Sequence, residues 1–422
     1  MNSPHHRTLA ARWLASGKFT PEWLLDHLPT QIKVKVSTAS PSFMYAEGAQ
    51  QHLLQDDAAT SFLQTMSPHD MLEQMKHQET TTPPQWMYYT GKCSDLSHQL
   101  LQAVPDWEQL RVEPSLSAAV GNPEAPSIWI GGPGTSTTCH YDVMDNVFVQ
   151  LHGRKKFRLW GPEAFKDVHV FPDVHPRARK SQLGNVKELV QAIAPREEIV
   201  LEPGDTLHLP AFTFHQVEAL DVSLSINVFS VCRTQMHGGR ILAAPVPLVV
   251  SSLETMATED SVDSTTERAS AQLLRVMEHV LLPVFGIEMP PVEYITQHLL
   301  DTRHRSLVGS GSDSSGSDSG TRGKQDGAQR VGRQRGNVGL AATFTSELDM
   351  HRVEELKTWY AEMHQDLIKS GNYRDPVEIN GVRDIIVCHL LESWALQLGD
   401  GDPELVHGTL ESCVERRRVS NV

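Results

Sequence analysis

The sequence has no unbroken apolar run near the 18 residues that a membrane-spanning helix needs, and its N-terminal stretch has no apolar signal core. A membrane protein is not expected. Cysteine is scarce: Cys93, Cys139, Cys232, Cys388 and Cys413 are odd in number, lie far apart and form no C-x-x-C pair. That usage fits a reducing compartment and excludes a cysteine-built zinc module. Positive charge is in deficit, with 37 Lys and Arg against 52 Asp and Glu, a formal charge of −15. A surface that coats nucleic acid or anionic membrane as a whole is therefore excluded, although one basic face is not.

What is present is an ordinary globular composition, 39% hydrophobic and 21% charged over 422 residues, enough chain for two or three domains. Cytoplasm or nucleus is the expected location. Residues 1–21 carry Arg7, Arg12 and Lys18 and no acid, and are expected to form a plain first helix rather than a presequence. Thr20 stands as an N-cap before Pro21, with Trp23, Leu24, Leu25 and Leu28 at helical spacing. Ile32, Val34 and Val36 alternate with Lys33 and Lys35, the period of a half-buried strand. A helical stretch around Asp70–His77 precedes WMYYTGK.

Between about Ser127 and Ser230 the chain becomes strand-rich, in SIWIGG, NVFVQLHGRKKFRLWG, EEIVLEPGDTLHLPAF and DVSLSINVFSV, with Gly, Pro and Asp turn signals between. Short strands without interleaved helices predict a sandwich or jelly-roll. Glu267–Leu282 reads as an amphipathic helix ended by Pro283. Residues 303–340 hold almost no apolar side chain and read as a disordered Gly/Ser/Arg linker. Beyond it, Leu348, Val353, Leu356, Tyr360, Met363 and Leu367 share one helical face, and a second helix starting at Asp375-Pro376 carries Ile379, Val382, Ile386, Leu390 and Trp394. Those faces must dock on their own chain or on a second copy in a homodimer; the residues leave both open.

Histidine is abundant, at 21 residues, and it is the commonest metal-holding side chain near neutral pH. His140-Tyr141-Asp142 places an imidazole and a carboxylate at i and i+2, on one face of a strand. About one H-x-D triplet is expected by chance at this composition, so the context has to carry the assignment. His215 follows the Glu202-Pro203-Gly204-Asp205 turn and the strand after it. Two histidines and a carboxylate on facing strands make a facial triad that leaves positions open on non-haem Fe(II). A 2-oxo acid cosubstrate would also need a cation for its far carboxylate, and Lys155 follows the His152-Gly153 turn. Strand parity sends only one of Lys155 and Lys156 inward. In Val222–Phe229, Val222, Leu224, Ile226 and Val228 alternate with Ser223, Ser225 and Asn227, so one face is apolar and the other polar. A polar inner face suggests a functional lumen.

The string Cys139-His140-Tyr141-Asp142-Val143-Met144-Asp145-Asn146, followed in order by QLHGRKKFRLWGP, LEPGDTLHLPAFTFHQV and SINVF, resembles the JmjC-type, cupin-like Fe(II)- and 2-oxoglutarate-dependent oxygenases. The resemblance covers about residues 20 to 290. It is strongest to the branches that hydroxylate a wybutosine base of tRNA and asparaginyl side chains of protein; the latter also has a counterpart of His175-Pro176 through Ser181-Gln182. It implies an α+β fold, a double-stranded β-helix (jelly-roll) core with flanking N- and C-terminal helices. Together with the composition and spacing above, it divides the chain into an oxygenase domain over 1–245, a helical extension over 246–302, the 303–340 linker, a helical hairpin over 341–398 and a tail over 399–422, the linker and the last two helices having no counterpart in the family.

It further implies His140, Asp142 and His215 as iron ligands, Lys155 as the 2-oxoglutarate partner, and Thr137, Tyr89, Asn146 and Asn227 around the cosubstrate. Thr137 is three residues from His140, so regular parity would aim it away, and its role requires a strand end or bulge. Iron, 2-oxoglutarate and O₂ then carry the chemistry, and no side-chain nucleophile is needed. The implied substrate is a tRNA base or a protein side chain. Lysyl demethylation, or an inactive cupin used as a binding module, are the alternatives. Arg154, Lys156 and Arg158, then Lys166, Arg177, Arg179 and Lys180, the linker arginines and Arg416-Arg417-Arg418 are the local basic groups open to phosphate.

Overall fold

The structure is a computed structural model that describes residues 4–43, 61–78, 80, 82–113, 116, 125–183, 186–249, 262–305 and 347–420. Its strands are β1 Ile32–Ser37, β2 Ser42–Phe43, β3 Phe62–Met66, β4 Trp86–Lys92, β5 Ser127–Gly131, β6 Ser136–Thr137, β7 Asp145–His152, β8 Lys155–Trp160, β9 Glu197–Leu201, β10 Thr206–Leu209, β11 Phe214–Ala219 and β12 Ser223–Ser230. One sheet runs β10-β7-β12-β5-β4-β1-β3 and the other β2-β6-β11-β8-β9. The chain crosses from one sheet to the other between β7 and β8 through Gly153, at φ +60. A Cβ at that position would run into the Val222 carbonyl oxygen, so the turn requires glycine.

The alternation in β12 has the environments it calls for. Leu224, Ile226 and Val228, with Val147, Val149 and Leu151 of β7, form the outer face of the larger sheet. The long N-terminal helix α1 (Pro4–Leu14) and helix α2 (Pro68–His77) cover that face with Leu9, Trp13, Met71, Leu72 and Met75. Between the sheets, Phe148 of β7 meets Phe157 and Leu159 of β8, Leu201 of β9, and Leu207 and Leu209 of β10. This apolar cluster fills part of the space between the sheets, and Phe148, with Trp129 and Val217 packed beside it, also lines the cavity next to it. The core is thus the expected jelly-roll with flanking helices.

A third apolar body lies on the outer side of the smaller sheet. Helices α3 (Arg233–Leu242), α4 (Val262–Val276), α5 (Met350–Ser370), α6 (Pro376–Leu398) and α7 (Pro403–Ser420) pack there against Trp160, Phe165, Phe212 and Phe214. Asp375 caps α6 by accepting from the Val377 and Glu378 amides, with Pro376 in the first turn where its missing N–H is not needed. Val382, Ile385, Ile386, Leu390, Leu391 and Trp394 on α6 are fully buried, and each aliphatic one contributes about 1.5–3 kcal/mol relative to exposure. Their apolar faces are covered by their own chain.

Three expectations differ from what the structure holds. The stretch read as a tail from 399 contains α7, which buries Val406, Leu410 and Cys413 at helical spacing. The stretch read as linker begins too early, because Arg303 and His304 are fully buried; residues 306–346 lie outside those described. Helix α4 runs on through a wide turn at Met277–Leu281 into Leu282–Val284, so Pro283 sits in a helical first turn rather than after the helix. The five cysteines are buried and free. No helix of the described residues is long and apolar enough to cross a membrane.

Candidate metal centre

His140 and His215 face each other across a single backbone bridge, with His140 N–H donating to His215 O at 3.0 Å and His215 N–H to His140 O at 2.8 Å. Asp142, two residues on, is anchored by the Phe212 amide donating to its carbonyl at 2.7 Å. One ligating atom from each of the three side chains lies within 4.8 Å of the others, and Asp142 Oδ2 is 3.7 Å from His215 Nε2. Among the described residues this is the one such His, Cys, Asp or Glu group.

The protonation pattern suits ligation. His140 Nδ1 lies 2.8 Å from Thr138 O and His215 Nδ1 lies 3.0 Å from Thr213 O. A carbonyl only accepts, so Nδ1 carries the hydrogen in both rings and Nε2 is the nitrogen left to ligate. Burial, with the His215 ring adding to it, pushes His140 down to about 3, which keeps its imidazole neutral.

The carboxylate is aimed by a one-way chain of hydrogen bonds. The Trp129 indole, a donor only, gives its N–H to Asn227 Oδ1 at 2.6 Å. Asn227 Nδ2 then donates to Asn146 Oδ1 at 2.8 Å, and Asn146 Nδ2 donates to Asp142 Oδ2 at 3.2 Å. The indole thereby fixes the sense of both amides, and the chain ends on an acceptor, as an ionised ligand requires. Asn227 acts from behind Asn146 and does not line the cavity.

Lys155 enters the same cavity, of about 180 Å³, with Thr137, His140, Asp142, Asn146 and His215. Its Nζ donates to Ser225 Oγ at 2.6 Å and to Trp129 O at 3.4 Å, and no carboxylate of the described residues pairs with it. Burial pushes Lys155 down to about 7. A withdrawn cation held only by neutral acceptors suits an anionic ligand. Lys156, on the other face, is half-buried away from the cavity.

Thr137 lies in the cavity because β6 ends there, and its hydroxyl accepts from the Val217 amide at 3.2 Å. Tyr89 is the misplaced expectation. It points into the apolar cluster under the N-terminal helices, while Tyr88 lines the cavity, since neighbours in a strand face opposite sides. With two adjacent tyrosines, the sequence carries no signal that chooses between them. The rim holds Arg179 and Lys180, with Arg179 at φ +66, a conformation that non-glycine residues rarely adopt. Lys166, Arg177 and Arg154 do not line the cavity.

A family model described as "Cupin-like domain" matches residues 7–230. The chain is 25% identical over 249 residues to the Homo sapiens tRNA wybutosine-synthesizing protein 5, covering 54% of this chain and 71% of that one. It is 35% identical over 106 residues to the Danio rerio protein of the same name, covering 24% of this chain and 31% of that one. Similarity also extends to the Danio rerio lysine-specific demethylase 8, at 30% identity over 154 residues, covering 33% of this chain and 37% of that one. The chain thus spans about a third of two of these relatives and most of the third.

Proposed function

The chain belongs to the cupin-like domain family, and from that premise we propose that it is an Fe(II)- and 2-oxoglutarate-dependent hydroxylase of a macromolecule, with a tRNA base as substrate. The observation that carries the reading is the meeting, in one cavity, of His140, Asp142 and His215 with the buried cation of Lys155. In this reading the three side chains hold Fe(II), His140 and His215 through Nε2. Lys155 takes the far carboxylate of 2-oxoglutarate, Thr137 shares it, and Tyr88 occupies the place expected for Tyr89. Asn146 and Asn227 keep the Asp142 carboxylate on the metal side. When bound, iron with 2-oxoglutarate and O₂ supplies the oxidation, in which the cosubstrate becomes succinate and CO₂ and a C–H bond of the substrate becomes C–OH. The chain's own part is orientation and exclusion of water, and its place of action is the cytoplasm or nucleus.

A tRNA substrate is supported by the length of the match to the wybutosine-synthesizing relatives and by Arg179 and Lys180 at the rim. A protein side chain, by hydroxylation or demethylation, is the second reading, supported by the likeness to lysine-specific demethylase 8. Anaerobic addition of Fe(II) and 2-oxoglutarate should give a weak visible charge-transfer band that His140→Ala abolishes. A wild type without the band leaves a binding module in place of an enzyme, and a band that persists in His140→Ala removes the ligand assignment. In the same preparation, tRNA retention should fall steeply between roughly 50 and 200 mM salt. Absent or salt-insensitive retention transfers the proposal to the protein side chain.

A further inference from the structure

The family match stops at residue 230, yet a side chain from α6 reaches the turn that carries two of the three proposed ligands. Tyr141, between His140 and Asp142, is buried, with its ring against Phe212 and Phe214 at centroid distances of 5.9 and 5.1 Å. Its hydroxyl lies 2.6 Å from His389 Nε2. His389 is itself buried, and its Nδ1 lies 3.0 Å from Asp173 Oδ2. The carboxylate accepts, so Nδ1 carries the hydrogen, and in the neutral imidazole Nε2 then offers its lone pair to the Tyr141 hydroxyl. Both ring nitrogens are used, in the manner of an oriented support rather than of a ligand.

The support is itself braced. The Asp173 amide donates to Glu392 Oε2 at 2.7 Å, and Glu392 lies on α6 close to one turn beyond His389. Arg303 donates to both Glu392 oxygens, at 2.6 and 2.8 Å, and His304 Nε2 lies 3.3 Å from Oε1. Both members of the Arg303–Glu392 pair are fully buried. An unbroken polar chain therefore runs from a buried ion pair in the C-terminal layer, through Asp173 and His389, to the hydroxyl of the residue between His140 and Asp142. The route spans 248 residues of sequence between Tyr141 and His389.

We infer that His389 is a positioning residue for the metal-bearing turn, and that the helices after residue 347 complete a site whose ligands all precede residue 216. The inference rests on the metal reading above. Aromatic packing with Phe212 and Phe214 sets the plane of the Tyr141 ring; the added bond to His389 pins its tip, and with it the direction of the side chain and the backbone from which His140 and Asp142 project. Supporting hydrogen bonds of this kind are worth about 10- to 100-fold in metal affinity when they act on the ligands directly. One step further away, about tenfold is expected.

The test uses the full chain with Co(II) alone as the spectroscopic probe. Tyr141→Phe keeps the ring and removes one oxygen; it should weaken Co(II) binding about tenfold and alter the visible ligand-field spectrum, with an unchanged melting profile. His389→Leu should do the same, and His389→Gln, which keeps one acceptor and one donor, should restore the spectrum and most of the affinity. A Tyr141→Phe protein with wild-type affinity and spectrum overturns the inference, whether or not His389→Leu folds. So does a His389→Gln protein no better than His389→Leu at matched stability. A wild type whose Co(II) binding is absent, or is unaffected by His140→Ala, overturns the metal reading and this inference together.

Discussion

Lys155 and Arg303 are both cations withdrawn from water, one inside the jelly-roll and one in the C-terminal layer. Lys155 is 3% exposed and meets a hydroxyl and a carbonyl, whereas Arg303 is 0% exposed and grips the Glu392 carboxylate through two hydrogen bonds. Burial drives Lys155 down to about 7. It pulls Arg303 the same way, but Glu392 outweighs it and holds the guanidinium above its ordinary value. The difference separates two uses of buried charge. A complete pair secures the packing of helices, and an incomplete one destabilises the fold locally while preparing it for an anion.

The contrast breaks most visibly at Glu392. Glu392→Ala leaves Arg303 buried without its partner and should cost about 3–5 kcal/mol in urea unfolding. Replacing both members with Arg303→Met and Glu392→Leu should cost less than the single change; equal losses would mean that the pair is not what secures the layer. Lys155→Met is the opposite case. It should weaken 2-oxoglutarate binding by about 2 kcal/mol or more, some thirtyfold by calorimetry, without lowering stability at neutral pH.

The sign of the pH effect sharpens that second expectation. Lys155 lies near 7 in the folded chain and near 10.5 when unfolded, so in that window the unfolded chain binds more protons and folding strengthens as pH rises. Between about pH 7 and 9, wild type should therefore gain in unfolding midpoint relative to Lys155→Met. A constant difference would place the lysine in contact with water. The smallest effect belongs to the exposed pair Arg154–Asp221, at 2.8 Å with both side chains more than two-fifths exposed. Arg154→Ala should leave the midpoint within error, and a clear loss would show that exposure is not what distinguishes these pairs.

The jelly-roll and its cavity were legible because their signals are local and periodic. The small polar face of Ser225 and Asn227 follows from strand geometry, which also sends only one of Lys155 and Lys156 inward, the choice of Lys155 coming with the family resemblance. His140 and Asp142 do share a site, but from an isolated bridge and the loop after it rather than from a regular strand. What failed to show depended on contacts distant in sequence or on a choice between like neighbours. Tyr88 and Tyr89 differ only by strand phase. Arg303 looks like linker because the residues after it are polar, and only Glu392, 89 positions away, shows that it belongs to a core. The helix over Pro403–Ser420 had its apolar spacing in Val406, Leu410 and Cys413, a short signal easily lost beside the basic end of the chain. His389 carries no motif at all.

The glycine at 153 gives the molecule an unexpected weak point. Any larger residue there would push on the Val222 carbonyl, at the entry to the strand that carries Ser225, while standing two positions before the Lys155 that Ser225 holds. One methyl group would thus press on both strands that make that contact. In a genetic screen for lost activity, position 153 would score beside the ligands, although it binds nothing and lies outside the cavity.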